Sequence, residues 1–165
     1  MYPMELVHGM VREPPAPRYG HQRLVTRTTA LLDHFVRSHE LGRVCVSPID
    51  VVLDRRRALV VQPDVIFVSR ERLGIIKDRV WGAPDLVVEV LSRRTAVRDQ
   101  TEKLGWYKEY GVGECWFIDP AGHTIEVIDC ASTAGDERPV YEGGHVIRSR
   151  VLPAIDLRAE EFFEY

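Results

Sequence analysis

Two short apolar runs constrain the fold most: QPDVIFV at residues 62–68 and GAPDLVVEVLS at residues 82–92. A run this short, nearly free of polar alternation and bounded by Pro and Gly, reads as a strand covered on both faces, because a strand with one wet face alternates and a helix needs greater length. Each run nevertheless carries an acid, Asp64 and Glu89. Burying an uncompensated carboxylate costs several kcal/mol in order of magnitude, so a metal, a cation or a raised pKa is expected beside them.

The remaining elements follow from periodicity and punctuation. Leu24, Thr28, Leu31, Leu32, Phe35 and Val36 recur at helical spacing from about His21 to Ser38, with Gly42 as the stop. VCVSPIDVVLD and ALVVQPDVIFV predict two strands joined through Arg55, Arg56 and Arg57, with Pro63 marking an edge or bulge. Residues 69–84 form a longer connection with a helical turn near Arg70. The run from Thr95 to Tyr110 predicts a second helix, capped by Thr95 and stopped by Gly111. ECWFIDP and TIEVIDC predict a hairpin turning at Pro120, Ala121, Gly122 and His123, and residues 159–163 a short closing helix packing Phe162 and Phe163. Helix, strands, helix, strands is the order of an α/β fold: a mixed central β-sheet flanked by α-helices.

A length of 165 residues fits one domain spanning 1–165, and 45% hydrophobic with 28% charged residues excludes a disordered chain or a membrane bundle. No basic segment leads into an apolar stretch and a small-residue cleavage site, so a cytoplasmic protein is expected. Cys45, Cys115 and Cys130 lack CxxC spacing and read as small buried hydrophobes in strands. A net charge of −3 does not advertise a nucleic-acid binder, so any such binding must be local. Arg93, Arg94 and Arg98, beside the acids and at a helix N-terminus, are the candidates, whereas Arg55, Arg56 and Arg57 read as a solvated turn.

Geometry limits which acids cooperate. Asp85 and Glu89 share a strand face, yet four residues at roughly 3.3 Å each place them about 13 Å apart, beyond the reach of one cation. The partner of Glu89 must come from a neighbouring strand, and Asp64 is the candidate. Asp99, Lys103 and Tyr107 form one helical stripe at i, i+4 and i+8 that can face the same place. Two carboxylates and a lysine are the minimal equipment for metal-assisted phosphodiester hydrolysis. The carboxylates hold magnesium, with manganese as a substitute, and the lysine orients the water, helps deprotonate it, or stabilises the developing charge.

QPDVIFVS, GAPDLVVEVLS, Asp99, Lys103, Tyr107, GVGECWFIDP, VLPAIDL, APRYGHQRL and SPIDVVLD together resemble the Uma-two restriction-endonuclease family of the PD-(D/E)xK nuclease superfamily, over nearly the whole chain. The resemblance implies a restriction-endonuclease-like core, a magnesium-dependent DNA endonuclease activity, Asp64 and Glu89 as metal ligands, Lys103 as the catalytic lysine, and His21 as a further site residue at the start of the first helix. The chain departs from the superfamily at Leu91, where the strand motif would hold its lysine. Lys103 looks like the replacement, relocated to the adjoining helix.

Each assignment has a plainer rival. Asp64 could bond its own backbone at a bulge, Glu89 could pair with an arginine, Lys103 could be a solvated partner of Asp99, and His21, in line with Val25, Thr28 and Leu32, could be a satisfied core histidine. Tyr107 and Trp106 read as packing, Asp85 as a strand-entry turn residue. Two functions are carried forward: the endonuclease, as a homodimer if both strands of a duplex are cut, and a catalytically inactive nuclease-fold module that binds nucleic acid or assembles with a partner.

Overall fold

A computed structural model describes residues 4–92, 96–133 and 137–164, and of residues 96–99 the backbone alone. The chain opens with a hairpin that sequence patterning did not announce, β1 (Glu5–Val7) and β2 (Met10–Arg12), turning at His8 and Gly9 where φ is +49° and +84°. Helix α1 (Tyr19–Ser38) follows and buries Leu24, Val25, Thr28, Leu32, Phe35 and Val36, the stripe expected from the 3.6-residue period except that Leu31 is half-buried and Val25 joins it. Gly42 is not its stop. The helix ends at Ser38 and turns through Glu40, whose φ is +53°, with the Leu41 N–H donating to the Val36 carbonyl at 2.9 Å. Gly42 instead begins β3 (Gly42–Val46), where a Cβ would lie 2.1 Å from the Val68 carbonyl oxygen of the adjacent strand.

The two long strands expected between residues 44 and 68 are four. Each breaks at a proline: β3 is separated from β4 (Val51–Asp54) by the cis Ser47–Pro48 bond, and β5 (Leu59–Val61) from β6 (Val65–Ser69) by Gln62 and Pro63. Pro cannot donate to a ladder, so each break is where the chain leaves one sheet for another. Then come a 3₁₀ turn at Arg70–Ile75, β7 (Val80–Trp81), β8 (Leu86–Val90), helix α2 (Ala96–Glu109), β9 (Glu114–Asp119), β10 (Thr124–Asp129), β11 (Val140–Glu142) and α3 (Ala159–Phe163). Thr95, the expected cap of α2, lies outside the described residues, while Gly111 follows the helix with φ at +85°.

The result is two mixed sheets rather than one. The larger runs β11-β10-β9-β8-β6-β3, parallel only between β8 and β9, and the smaller runs β2-β1-β5-β4-β7, parallel only between β4 and β7. Strand alternation divides the core. Val65, Phe67, Leu86, Val88, Val90, Trp116 and Ile118 pack with α1 and α3 on one face of the larger sheet. Ile66, Val68, Val87, Cys115 and Phe117 face the other way, against Leu104, Trp106 and Tyr107 of α2 and Val51, Leu59 and Val61 of the smaller sheet. Cys45 is half-buried, and Cys115 and Cys130 are buried, all three as free thiols. Arg55, Arg56 and Arg57 are exposed at a turn whose amides at 56 and 57 donate to Asp54. No described helix is long and apolar enough to cross a membrane.

Candidate active site

The antiparallel register of β6 and β8 pairs Val65 with Val88, so Asp64, one residue before β6, lies across from Glu89 near the C-terminal end of β8. Asp64 is a connection residue, not a strand residue, and its carboxylate is tied on both sides. Oδ2 accepts from the Val90 N–H at 2.8 Å, and Oδ1 meets His21 Nε2 at 3.1 Å. The bulge reading, in which Asp64 bonds its own backbone, is therefore replaced by a bond across strands. The hydrogen bond to Asp64 is the main cause holding the His21 imidazole above its ordinary pKa, against the opposing effect of burial. His21 begins the buried stripe of α1, yet the stripe ends over Asp64 and the ring is satisfied by a carboxylate rather than by core.

Glu89 is buried, on the α2 side of the sheet, because its parity on β8 is that of Val87. Its Oε1 accepts from the Tyr107 hydroxyl at 2.5 Å and from Lys103 Nζ at 3.2 Å. Burial pushes the carboxyl up from 4.5 to about 7; the Lys103 charge opposes this and the Asp64 charge adds to it. Lys103 is also largely buried, and it too departs from its ordinary value upward, because the charges of Glu89 and Glu5 outweigh the cost of desolvating the ammonium. Lys103 and Tyr107, one turn apart on α2, thus reach the same oxygen, as their helical spacing predicts. The Asp99 side chain lies outside the described ones.

One participant escaped sequence reading. Glu5 places Oε1 3.0 Å from Lys103 Nζ, and its strand was not anticipated at all. Tyr107 is the buried packing side chain expected, and it also faces the site as its stripe with Lys103 allows, with its hydroxyl on Glu89. Asp85 stands apart from this cluster: its carboxylate accepts from the Ser69 N–H at 2.7 Å and from Arg72 at 3.0 Å, tethering the entry to β8. Arg93 and Arg94 lie outside the described residues, and so does the side chain of Arg98.

Oxygen donors from two carboxylates suit a hard divalent cation that keeps several of its waters. Each Asp64 oxygen has a further lone-pair direction beyond the bond it accepts. Burial is the main cause of the rise of the Glu89 carboxyl and the Asp64 charge adds to it, so a cation shared by the two would oppose both effects. Among the described residues no group of three His, Cys, Asp or Glu side chains is arranged to cage a metal.

A search of solved structures finds a crystal structure described as "a putative nuclease belonging to DUF820" from Anabaena variabilis, which superposes with a TM-score of 0.80 over 97% of this chain and 89% of that one, at 17% identity. At that identity the likeness establishes the shared fold. No curated protein matches. A family model, Uma2, described as "Putative restriction endonuclease", matches residues 2–160. The chain therefore belongs to the Uma2 restriction-endonuclease family.

Proposed function

We propose that the chain is a magnesium-dependent DNA endonuclease, acting through one restriction-endonuclease-like domain over residues 1–165 in the cytoplasm. What carries the reading is the meeting of Asp64, Glu89 and Lys103 from three separate segments, with Lys103 3.2 Å from Glu89 and the Asp64 charge felt at Glu89. Asp64 and Glu89 would hold the cation, magnesium or manganese. When bound, it supplies Lewis-acid polarisation of the phosphate and a more acidic water.

The other roles belong to the side chains themselves. Lys103 remains an ammonium between two carboxylates, so of the roles open to it the fitting one is a fixed positive charge that offsets negative charge growing on the phosphate, rather than a base. His21 Nε2–H fixes one oxygen of Asp64 while the Val90 amide fixes the other, which orients the carboxylate toward Glu89. Tyr107 does the same for Glu89. Arg93, Arg94 and Arg98 follow β8 directly and are the proposed contacts to the DNA backbone; a homodimer would bring two such sites to the two strands.

The experiment is cleavage of supercoiled plasmid DNA by the purified chain with magnesium or manganese, with EDTA as control. Cleavage is expected to vanish in Asp64→Ala and Glu89→Ala and to fall about 10²–10³-fold in Lys103→Ala, while circular dichroism stays that of the parent. No cleavage of any DNA or RNA form, or normal cutting by the variants, defeats the reading. One observation favours the rival, an inactive nuclease-fold binding or assembly module: Leu91 stands where the strand motif would hold its lysine. That rival predicts nucleic-acid or partner binding with no manganese at Asp64 and Glu89 in a soaked crystal.

A further inference from the structure

We propose that Glu5, on the N-terminal hairpin, is a positioning residue that holds the Lys103 ammonium against Glu89, so that the site is complete only when this hairpin is docked on α2. The inference rests on the endonuclease reading for its catalytic consequence, but its structural content stands on separate observations. A lysine head on four rotatable bonds does not stay over one carboxylate unaided, since fixing such a side chain costs rotamer entropy. Here the head has two anchors. Nζ lies 3.0 Å from Glu5 Oε1 and 3.2 Å from Glu89 Oε1, and the three side chains are only 15%, 12% and 11% exposed, so solvent screens them weakly.

Glu5 is itself anchored. Its Oε1 accepts the Gln62 N–H at 3.2 Å, and Gln62 in turn bonds the Met4 N–H at 3.1 Å and Asp50 at 2.8 Å through its side-chain amide. Gln62 lies two residues ahead of Asp64, so one short segment fixes both the acid facing His21 and the acid facing Lys103. The hairpin is clamped onto α2 at positions bracketing Lys103: Arg12 makes a bidentate pair with Glu102 at 2.8 and 3.1 Å, and the His8 ring meets Trp106 edge-on at 6.2 Å. The smaller sheet thereby contributes a charge to a cluster otherwise drawn from the larger sheet and its helices.

Glu5→Gln is the probe, because its amide oxygen can still accept from Gln62 while the charge is gone. With plasmid DNA and magnesium, kcat is expected to fall about 10- to 100-fold with KM little changed, Glu5→Asp to recover part of the loss, and Glu5→Gln to add nothing in a Lys103→Ala background. The chain has only three lysines, Lys77, Lys103 and Lys108. Side-chain ¹⁵N spectra of lysine-labelled protein therefore resolve the Lys103 ammonium directly, slowly exchanging in the parent and rapidly averaged in Glu5→Gln. Parent-like kcat in Glu5→Gln, a loss that multiplies with Lys103→Ala, or an unchanged ammonium signal overturns the proposal. If the parent cuts nothing, the endonuclease reading fails by itself, and the ammonium spectrum still decides whether Glu5 holds Lys103.

Discussion

Two buried glutamates sit on adjacent parallel strands of the same sheet and have opposite fates. Glu114 opens β9 on the α1 and α3 face; Glu89 lies one residue before the end of β8 on the α2 face. Glu114 is 1% exposed, and its carboxylate is saturated by neutral donors: Trp116 Nε1 at 2.7 Å and Ser149 Oγ at 2.6 Å on one oxygen, the Arg150 N–H at 2.8 Å on the other. Those bonds fasten the segment before residue 152 to the sheet. Glu89 has a phenol and an ammonium on one oxygen, and a second carboxylate for a neighbour. Burial of a carboxylate is thus compatible with either role. The difference lies in what surrounds it: neutral donors spread over both oxygens make a clamp, whereas like charge on one side and a single cation on the other leave a group ready to change partners.

Exchanging each glutamate for glutamine breaks the comparison most sharply. In Glu89→Gln, cleavage is expected to be lost by roughly three orders of magnitude, as for removal of a charged transition-state or metal contact, with the urea midpoint at neutral pH kept or raised. In Glu114→Gln the amide NH₂ must face either the Arg150 N–H or the Trp116 and Ser149 donors. A stability loss of about 1–3 kcal/mol is expected, with activity intact in the folded fraction. Parallel cleavage assays and urea titrations of the two variants would show the pattern; the same response from both would erase the distinction.

The same pair shows how far the sequence could be read. An acid inside an apolar strand marks Glu89 in LVVEV and Glu114 in ECWFID equally, and only for the first does the sequence offer partners, Asp64 and Lys103, at plausible spacing. The helices α1 and α3, the β9–β10 hairpin and the chain's α/β class follow from period and punctuation, which are local. The splitting of two expected strands into four does not, because a proline within an apolar run marks an interruption without saying that the chain then joins a different sheet. Glu5 was hidden for a related reason: its three-residue strand is too short to show alternation, and its partner is 98 positions away, a tertiary relation that no spacing encodes.

A smaller change sharpens the Glu89 side. Tyr107→Phe keeps the ring that fills the core against Val87 and Cys115 and removes only the donor 2.5 Å from Glu89 Oε1. If Tyr107 were packing alone, the phenylalanine would be neutral. Because the hydroxyl is one of two groups orienting Glu89, cleavage is expected to fall about 10-fold and stability to change by about 1–2 kcal/mol at most, read by steady-state kinetics and thermal melts.

The effect most particular to Glu89 is on stability against pH in the presence of EDTA. Its carboxyl is raised from 4.5 to about 7, first by burial and further by Asp64, with Lys103 opposing. Between those two values the folded chain keeps a proton that the unfolded chain has released, so stability falls as pH rises across the window, by at most about 1.4 kcal/mol per pH unit for one proton. His21 adds the same sign. Its pKa is raised chiefly by the bond to Asp64, so the stability it contributes is whole below 6.5 and is lost as pH climbs through its folded value. The urea midpoint should therefore decline from pH 5 to 8, and Glu89→Gln should flatten that decline but leave the part belonging to His21. Adding magnesium should reverse the decline in the parent and not in Glu89→Gln, since a cation shared by Asp64 and Glu89 competes with the proton for the same oxygens. A parent curve that rises over this range would mean that Glu89 is already ionised in its pocket, and would place it with Glu114 as a second satisfied clamp.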